Sequence, residues 1–322
     1  MGWGMIGLIG LMPFHAFLSV YLGHVLGHRS LIQSWKEVLL LLMGAGTAYL
    51  LVLKPQLRTR LKQPWVYLIF TYTVLSLVIT AFTQPPRDAV AFGLKYNLLF
   101  LFACLIALVI GDMRLERLSA KVILATGTIV GAFATLQVWV LPRDFLARFG
   151  YNTHTIEPFR LVDPAVEAVR VLSTLGGPNQ LGSFIILPLC LVIYMGLKRF
   201  RWWQLPVAGV MLVALLNSYS RSAWIGAAAS ILTLVVLWLP RQLRVWVGGS
   251  VILAASLGLM LVLQHPGILG SKLQYYLLHT GGRFYQESGS DAERLDAISR
   301  GIETIKSEPL GRGLGTAGPA SQ

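Results

Sequence analysis

The sequence predicts an all-α, polytopic transmembrane helical bundle of about nine spans, with a helical segment outside the bilayer. Three observations predict it. Of the 322 residues, 55% are hydrophobic, and mean hydropathy is +0.65. Only 13% are charged, where a soluble domain carries roughly 25%. The apolar residues also fall in runs near the ~20 residues that a helix needs to cross a hydrocarbon core.

Those runs lie at about 3–27, 37–53, 65–83, 92–111, 120–141, 178–197, 203–219, 222–239 and 245–263. Pro55, Pro64, the Pro85-Pro86 pair, Pro142, Pro178 and Pro240 fall at run ends, where a missing backbone N–H does little harm to a helix. Cys104 and Cys190 sit inside runs and read as small apolar packing residues. No signal peptide is expected, because the first basic residue, Arg29, follows an opening run too long for an h-region. The chain divides into an N-terminal bundle (1–141), an outer loop (142–177) and a core (178–322) of four spans plus an outer segment, 264–322.

Alternate connections fix the orientation. One set (Lys54 to Lys62, Arg114 to Lys121, Lys198 to Arg201, Arg241 and Arg244) holds 12 Lys and Arg against two acids, Asp112 and Glu116. The opposite set before the last span holds nine against six, and the segment after Leu263 six of each. Most of the net charge of +13 therefore belongs to one side, which the positive-inside rule makes cytoplasmic. The basicity is topogenic, and nucleic acid is excluded as its partner. The N-terminus is expected inside, with the loop 142–177, the short "NSYSR" connection and the segment 264–322 outside.

That orientation bears on "LLNSYSRSAWIG", residues 215–226, where Arg221 is the one charge between Trp202 and Pro240. A guanidinium cannot shed its proton, so it must meet water, a carboxylate or an anionic ligand. At the outer boundary it reaches water or a lipid head group. The outer loop ends in "RVLSTLGGPNQLGSF", where Gly176-Gly177 permits a turn and Pro178 can open a helix. The N–H groups of such a helix start favour anions, although a plain loop-to-helix transition explains the same letters. Ser290 and Glu293 form a capping box, and Glu308 before Pro309 should end the helix that it starts. Leu295, Ile298, Ile302 and Ile305 share one face. Arg294 flanks that face and Arg300 lies nearly opposite it, so a simple amphipathic surface helix explains Arg300 but not Arg294. The tail "GRGLGTAGPASQ" has no preceding strand and no Gly-Lys-Ser/Thr, and reads as an open loop rather than a nucleotide motif. The chain is expected to continue past Gln322.

His15, His24, His28, His154, His265 and His279 are scattered, so no metal site is expected. Nor is there a G-x-S-x-G elbow or a catalytic cysteine. Ionisable groups deep in the spans are nearly missing, which argues against an ion-coupled transporter. What remains is a set of outer-face arginines, and arginine suits bidentate binding of phosphate.

"RVLSTLGGPNQLGSF", "NSYSRSAWIG" and "DAERLDAISRGIETIKSEPLGRGLG" occur in the order found in the O-antigen ligase and O-antigen polymerase family, which the chain resembles over about residues 170–315. The resemblance implies a helical enzyme of the bacterial plasma (inner) membrane. Such an enzyme transfers a glycan from an undecaprenyl-diphosphate carrier to an acceptor hydroxyl at the outer face, without cofactor or metal. Its partners would be the lipid-linked glycan, an acceptor glycan, lipid or protein, and the surrounding membrane lipids. Arg221 and Arg294 match arginines thought to engage the diphosphate and would be catalytic. Arg170 and Asn179 match the preceding motif and, with Ser220, would bind substrate. The general base, often a histidine beyond the glycine-rich stretch, would lie past Gln322. The rival readings are a transporter or flippase of an anionic lipid or lipid-linked glycan, and a non-catalytic membrane scaffold.

Overall fold

The computed structural model describes residues 1–163, 166–250 and 290–316. They are helical almost throughout, with one two-stranded hairpin in the loop 142–177. Seven helices are long and apolar enough to cross a membrane: Gly2–Leu26, Trp35–Leu53, Pro64–Thr83, Arg87–Ile110, Met113–Trp139, Pro178–Lys198 and Arg221–Trp238. Each coincides with a predicted run. The predicted span 203–219 is a shorter apolar helix, Gln204–Asn217. The predicted span 245–263 lies mostly outside the described residues.

The boundaries depart from the hydropathy reading in physical ways. Met113–Trp139 begins seven residues before the apolar run because Arg114, Glu116, Arg117 and Lys121 continue the helix beyond the greasy segment. Arg87–Ile110 likewise starts early and includes a π-turn at Leu94–Leu98. Gly2–Leu26 is two α-helical pieces joined by a 3₁₀ turn at Met12–Phe14, where Pro13 removes a helical donor.

Packing divides the chain into two compact units. One comprises Met1–Met5, Ser34–Glu116 and Tyr285–Gln322; the other comprises Ile6–Gln33 and Arg117–Phe284.

In the second unit, Leu181, Ile185, Leu189 and Val192 form one stripe of the Pro178–Lys198 helix. They pack with Val130, Ala134, Met211, Ala214, Leu215, Ala223 and Ala227. In lipid no hydrophobic force drives helices together, so close approach through small residues matters. A Cβ on Gly127 would lie 2.4 Å from the Pro188 ring, and one on Gly182 2.6 Å from the Ala223 Cβ. A smaller cluster, Val20, Leu146, Tyr151 and Leu172, seats the start of the outer loop, with the Phe17 and Phe149 rings 5.3 Å apart. Burial pushes the Tyr151 phenol above its ordinary pKa, against the opposing charge of Arg29. Its buried hydroxyl has no hydrogen-bond partner among the described residues. Tyr151→Phe is therefore expected to stay within about 1 kcal/mol of wild type in denaturation of the purified protein. Tyr151→Ala should lose about 3–5 kcal/mol.

In the first unit, Trp35–Leu53 packs against Leu99–Ile110, with Gly44 leaving room for the Phe102 ring. Arg60 donates to the carbonyls of Val109 (2.8 Å) and Gly111 (2.7 Å), so a cation closes the negative end of that helix. Glu37 pairs with Lys95 at 2.9 Å and Lys36 at 3.4 Å. The Pro64–Thr83 helix buries no residue. A largely apolar helix of twenty residues with none buried makes sense only against lipid.

The predicted helix is present and runs Ser290–Ser307. Ile298, Ile302 and Ile305 are 59%, 49% and 67% exposed, so the apolar face looks outward, as on a helix lying in a membrane interface. Its other side, including Arg300 and Thr304, lines a cleft of about 900 Å³ with Tyr72, Ser76 and Asn97. Arg300 pairs with Asp296 at 2.9 Å.

The glycine-rich stretch is not an open loop over the described residues 311–316. The Leu314 N–H donates to Thr80 Oγ1 (2.9 Å) and the Thr83 hydroxyl to the Arg312 carbonyl (2.8 Å), and Leu314 is buried. Gly313 and Gly315 take φ of 93° and 77°, and a Cβ on Gly315 would meet the Ala89 carbonyl. Glycine is required there because the strap runs left-handed in contact with a helix backbone. Arg312 grips the Glu308 carboxylate with two N–H groups. Those hydrogen bonds hold Glu308 below the usual carboxylate range.

Candidate functional site

Four helix ends of the second unit meet around the loop 142–177. Met113–Trp139 and Gln204–Asn217 end there, and Pro178–Lys198 and Arg221–Trp238 begin there. The loop delivers Arg170 through the hairpin. Strand β1 (Arg160–Asp163) pairs antiparallel with β2 (Val166–Arg170), with Arg160 opposite Arg170 and Leu161 opposite Val169. The sequence reading had no strands here; β-branched "VEAVRV" after a proline is the signal that could have found them.

Beyond the hairpin the backbone is tied to the bundle at several points. The Val171 N–H donates to the Asn217 carbonyl (3.0 Å). Ser173, fully buried, donates its hydroxyl to the Val130 carbonyl and its N–H to Gln137 Oε1. The Thr174 hydroxyl reaches the Pro13 carbonyl at 2.9 Å. Ser173 sits at φ 53°, a conformation that costs a non-glycine residue about 1–3 kcal/mol unless its surroundings hold it; these bonds hold it.

The Ser-Arg turn is built in the same way. Gln204–Asn217 ends as the Ser218 hydroxyl bonds back to the Leu215 carbonyl (2.7 Å). Tyr219 reverses the chain at φ 48°. Ser220, extended and buried, is the N-cap of the next helix; its carbonyl accepts the Trp224 N–H at 3.0 Å. The Trp224 indole N–H also donates to the Leu215 carbonyl (2.8 Å). Arg221 is thus the first residue of its helix and half-buried. A cation at the positive end of a helix dipole costs stability, and both charges favour an anion nearby.

Arg170 joins these parts. Its Nε donates to the Ser218 carbonyl (3.1 Å) and its Nη2 to Asn179 Oδ1 (2.7 Å). One guanidinium therefore spans the Ser-Arg turn and the first turn of Pro178–Lys198, with its plane fixed by two donors. Of the predicted site residues, Arg170 and Asn179 touch directly. Ser220 and Arg221 follow within the turn that Arg170 holds, and the Ser220 N–H donates to the Ser218 hydroxyl at 3.3 Å. Arg294 belongs to the helix Ser290–Ser307 of the other unit, and its side chain lies outside those described.

A cavity of about 380 Å³ opens beside the clasp, lined among others by Gln137, Arg143, Phe159, Arg170, Asn217 and Tyr219. Sequence reasoning did not single out Gln137, Arg143 or Phe159. They come from separate turns of the chain, and no local pattern announces their meeting. Arg143, next to a proline at a span end, was readable only as one of four loop arginines.

Residues 206–322 match the O-Antigen ligase family. The match takes in the Ser-Arg turn and the helix Ser290–Ser307, and begins after the "RVLSTLGGPNQLGSF" motif that carries Arg170 and Asn179. No curated protein matches the chain, and no solved structure does. Over residues 206–322 the chain is therefore similar to the O-antigen ligase family, which supports the resemblance that its motifs carry.

Proposed function

We propose that the chain moves a glycan from an undecaprenyl-diphosphate carrier to an acceptor hydroxyl at the outer face of the plasma membrane, without a metal. The observation that carries this reading is the match to the O-antigen ligase family over residues 206–322. The Arg170 clasp on the Ser-Arg turn adds a physical reason for that turn to be rigid. The charge asymmetry of the connecting loops supports the outer face.

The step is a displacement at the sugar's anomeric carbon. The acceptor oxygen attacks opposite the phosphate, the carbon–oxygen bond to phosphate breaks, and the electron pair leaves on the diphosphate. The acceptor proton passes to a general base. Arg221 and Arg294 would stabilise the charge that grows on the diphosphate, where low dielectric strengthens each contact. Arg170 and Ser220 would line the approach, and Asn179 would act by aiming Arg170.

Membranes containing the protein, given a polyprenyl-diphosphate oligosaccharide and an acceptor glycan, test this directly. Elongated acceptor and free polyprenyl diphosphate should appear in equal amounts, and excess EDTA should leave the rate unchanged. Passage of the intact lipid-linked glycan across vesicles with no bond cleaved would instead establish a transporter.

A further inference from the structure

We infer that the turn Lys198–Gln204 binds an anionic phospholipid of the leaflet at its end of the bundle, with Arg199 and Arg201 on the phosphate and Trp202 among the head groups. The turn lies away from the site described above. Pro178–Lys198 starts beside the Ser-Arg turn and ends here, and Gln204–Asn217 runs back. Its shape is the first argument, because it is built from inside. Gln204, buried in the bundle, accepts the Arg201 N–H on Oε1 (2.9 Å) and donates from Nε2 to the Arg199 carbonyl (3.3 Å). The Gln204 and Leu205 N–H groups donate back to the carbonyls of Arg201 (2.9 Å) and Trp202 (3.2 Å). One buried amide thus holds a loop whose aromatic side chains stand out from the protein. Trp202 is 79% exposed, and its ring meets the exposed Phe200 ring edge to face at 5.4 Å.

Depth is the second argument. Gln204–Asn217 has 14 residues, about 21 Å of helix against a hydrocarbon core of about 30 Å. A short span draws its flanking residues inward or thins the bilayer around itself. Either way Trp202 and the two arginines come to head-group level, where an indole satisfies both its apolar ring and its N–H.

Charge is the third. The second unit contains four acids, Asp144, Glu157, Asp163 and Glu167. All lie in the loop 142–177, around the opposite helix ends, so no carboxylate of this unit answers Arg199 or Arg201. Lys198 is engaged over the Tyr194 ring at 4.8 Å. That leaves two exposed guanidinium forks, and such forks match phosphate oxygens. A zwitterionic head group offers the same phosphate with its own cation beside it, so an anionic lipid is preferred.

Full-length protein is reconstituted into phosphatidylcholine vesicles carrying either brominated phosphatidylglycerol or brominated phosphatidylcholine. Bromine quenches a tryptophan that touches the lipid, and the quenching lost in Trp202→Phe isolates this residue from the other tryptophans. At equal mole fraction the anionic lipid should quench Trp202 about fivefold more strongly. Arg199→Gln/Arg201→Gln should erase that preference, and Arg199→Lys/Arg201→Lys should keep part of it. About 1 M salt should erase it in the wild type, since the Debye length falls to about 3 Å. Equal quenching by the two lipids overturns the proposal, and so does quenching by neither, which places the turn in water for a soluble partner. Neither result needs a variant. A preference that persists in Arg199→Gln/Arg201→Gln overturns it too, as does one that inorganic phosphate cancels at constant ionic strength, which gives the turn to a soluble anion. None of these outcomes depends on whether the chain transfers a glycan.

Discussion

Arg221→Ala is expected to lower glycan transfer by about 100- to 1000-fold, the cost of removing one preorganised charge-stabilising donor in a site of this type. Surface polysaccharide should disappear while the protein persists in the membrane. The argument is geometric. Arg221 follows an N-cap whose backbone is set by the Ser218 hydroxyl, the Tyr219 reversal and the Trp224 indole. Its Cα is therefore fixed before any substrate arrives, so only the side chain itself has to settle as charge develops. Arg221 is half-buried and opens a helix, so alanine removes no core volume and relieves an unfavourable dipole contact. Transfer should fall far more than stability does, a disproportion that a merely structural arginine would not produce. Arg221→Lys should recover only part of the rate, since a point charge lacks the planar fork. Arg294→Ala should show the same loss of transfer, and wild-type levels of glycan in both variants would sink the mechanism.

The sequence reading succeeded where one solvent imposes one rule. Lipid demands long apolar runs, so the seven long helices were legible to within a few residues at their apolar ends. They were less legible at Met113, where charged residues prolong the helix. The helix Ser290–Ser307 was legible because a capping box and a terminal proline are local chemistry. The hairpin β1–β2 was not, since two strands of four and five residues leave little periodicity in a charged loop. The strap 311–316 was misread as open because its partners, Thr80 and Ala89, are remote in sequence. The site divided along the same line. Arg170, Asn179, Ser220 and Arg221 stand in short motifs and could be named from the letters. That Arg170 bonds the Ser218 carbonyl, and that Arg143 shares a cavity with it, depends on four helix ends meeting, which no window of sequence contains.

The second large effect should come from a residue with no side chain. Gly182→Ala places a Cβ 2.6 Å from the Ala223 Cβ and 2.9 Å from the Ser218 Oγ, closer than real carbon contacts allow. Neither neighbour can swing aside. Ala223 is a stub on the facing helix, and the Ser218 hydroxyl is held by the Leu215 carbonyl and the Ser220 N–H. The helices Pro178–Lys198 and Arg221–Trp238 must separate, at about 1–3 kcal/mol for such overpacking. That separation shifts the Ser218 carbonyl and Asn179 relative to one another, and these are the two acceptors that aim Arg170. Transfer should fall along with the thermal midpoint of the detergent-purified protein, and Gly182→Val should do worse. Two comparisons isolate the cause. Gly226→Ala, on the same helix pair, meets only the flexible tip of Ile186 at 3.2 Å, and Gly209→Ala meets nothing within 4 Å. Both should behave as wild type or slightly better, since alanine favours a helix by about 1 kcal/mol over glycine. Adding Ala223→Gly to Gly182→Ala removes the carbon contact at 2.6 Å but leaves the Ser218 Oγ at 2.9 Å, and should restore part of both midpoint and rate. If the double variant is no better than the single one, Gly182 matters for some reason other than the closeness of these two helices.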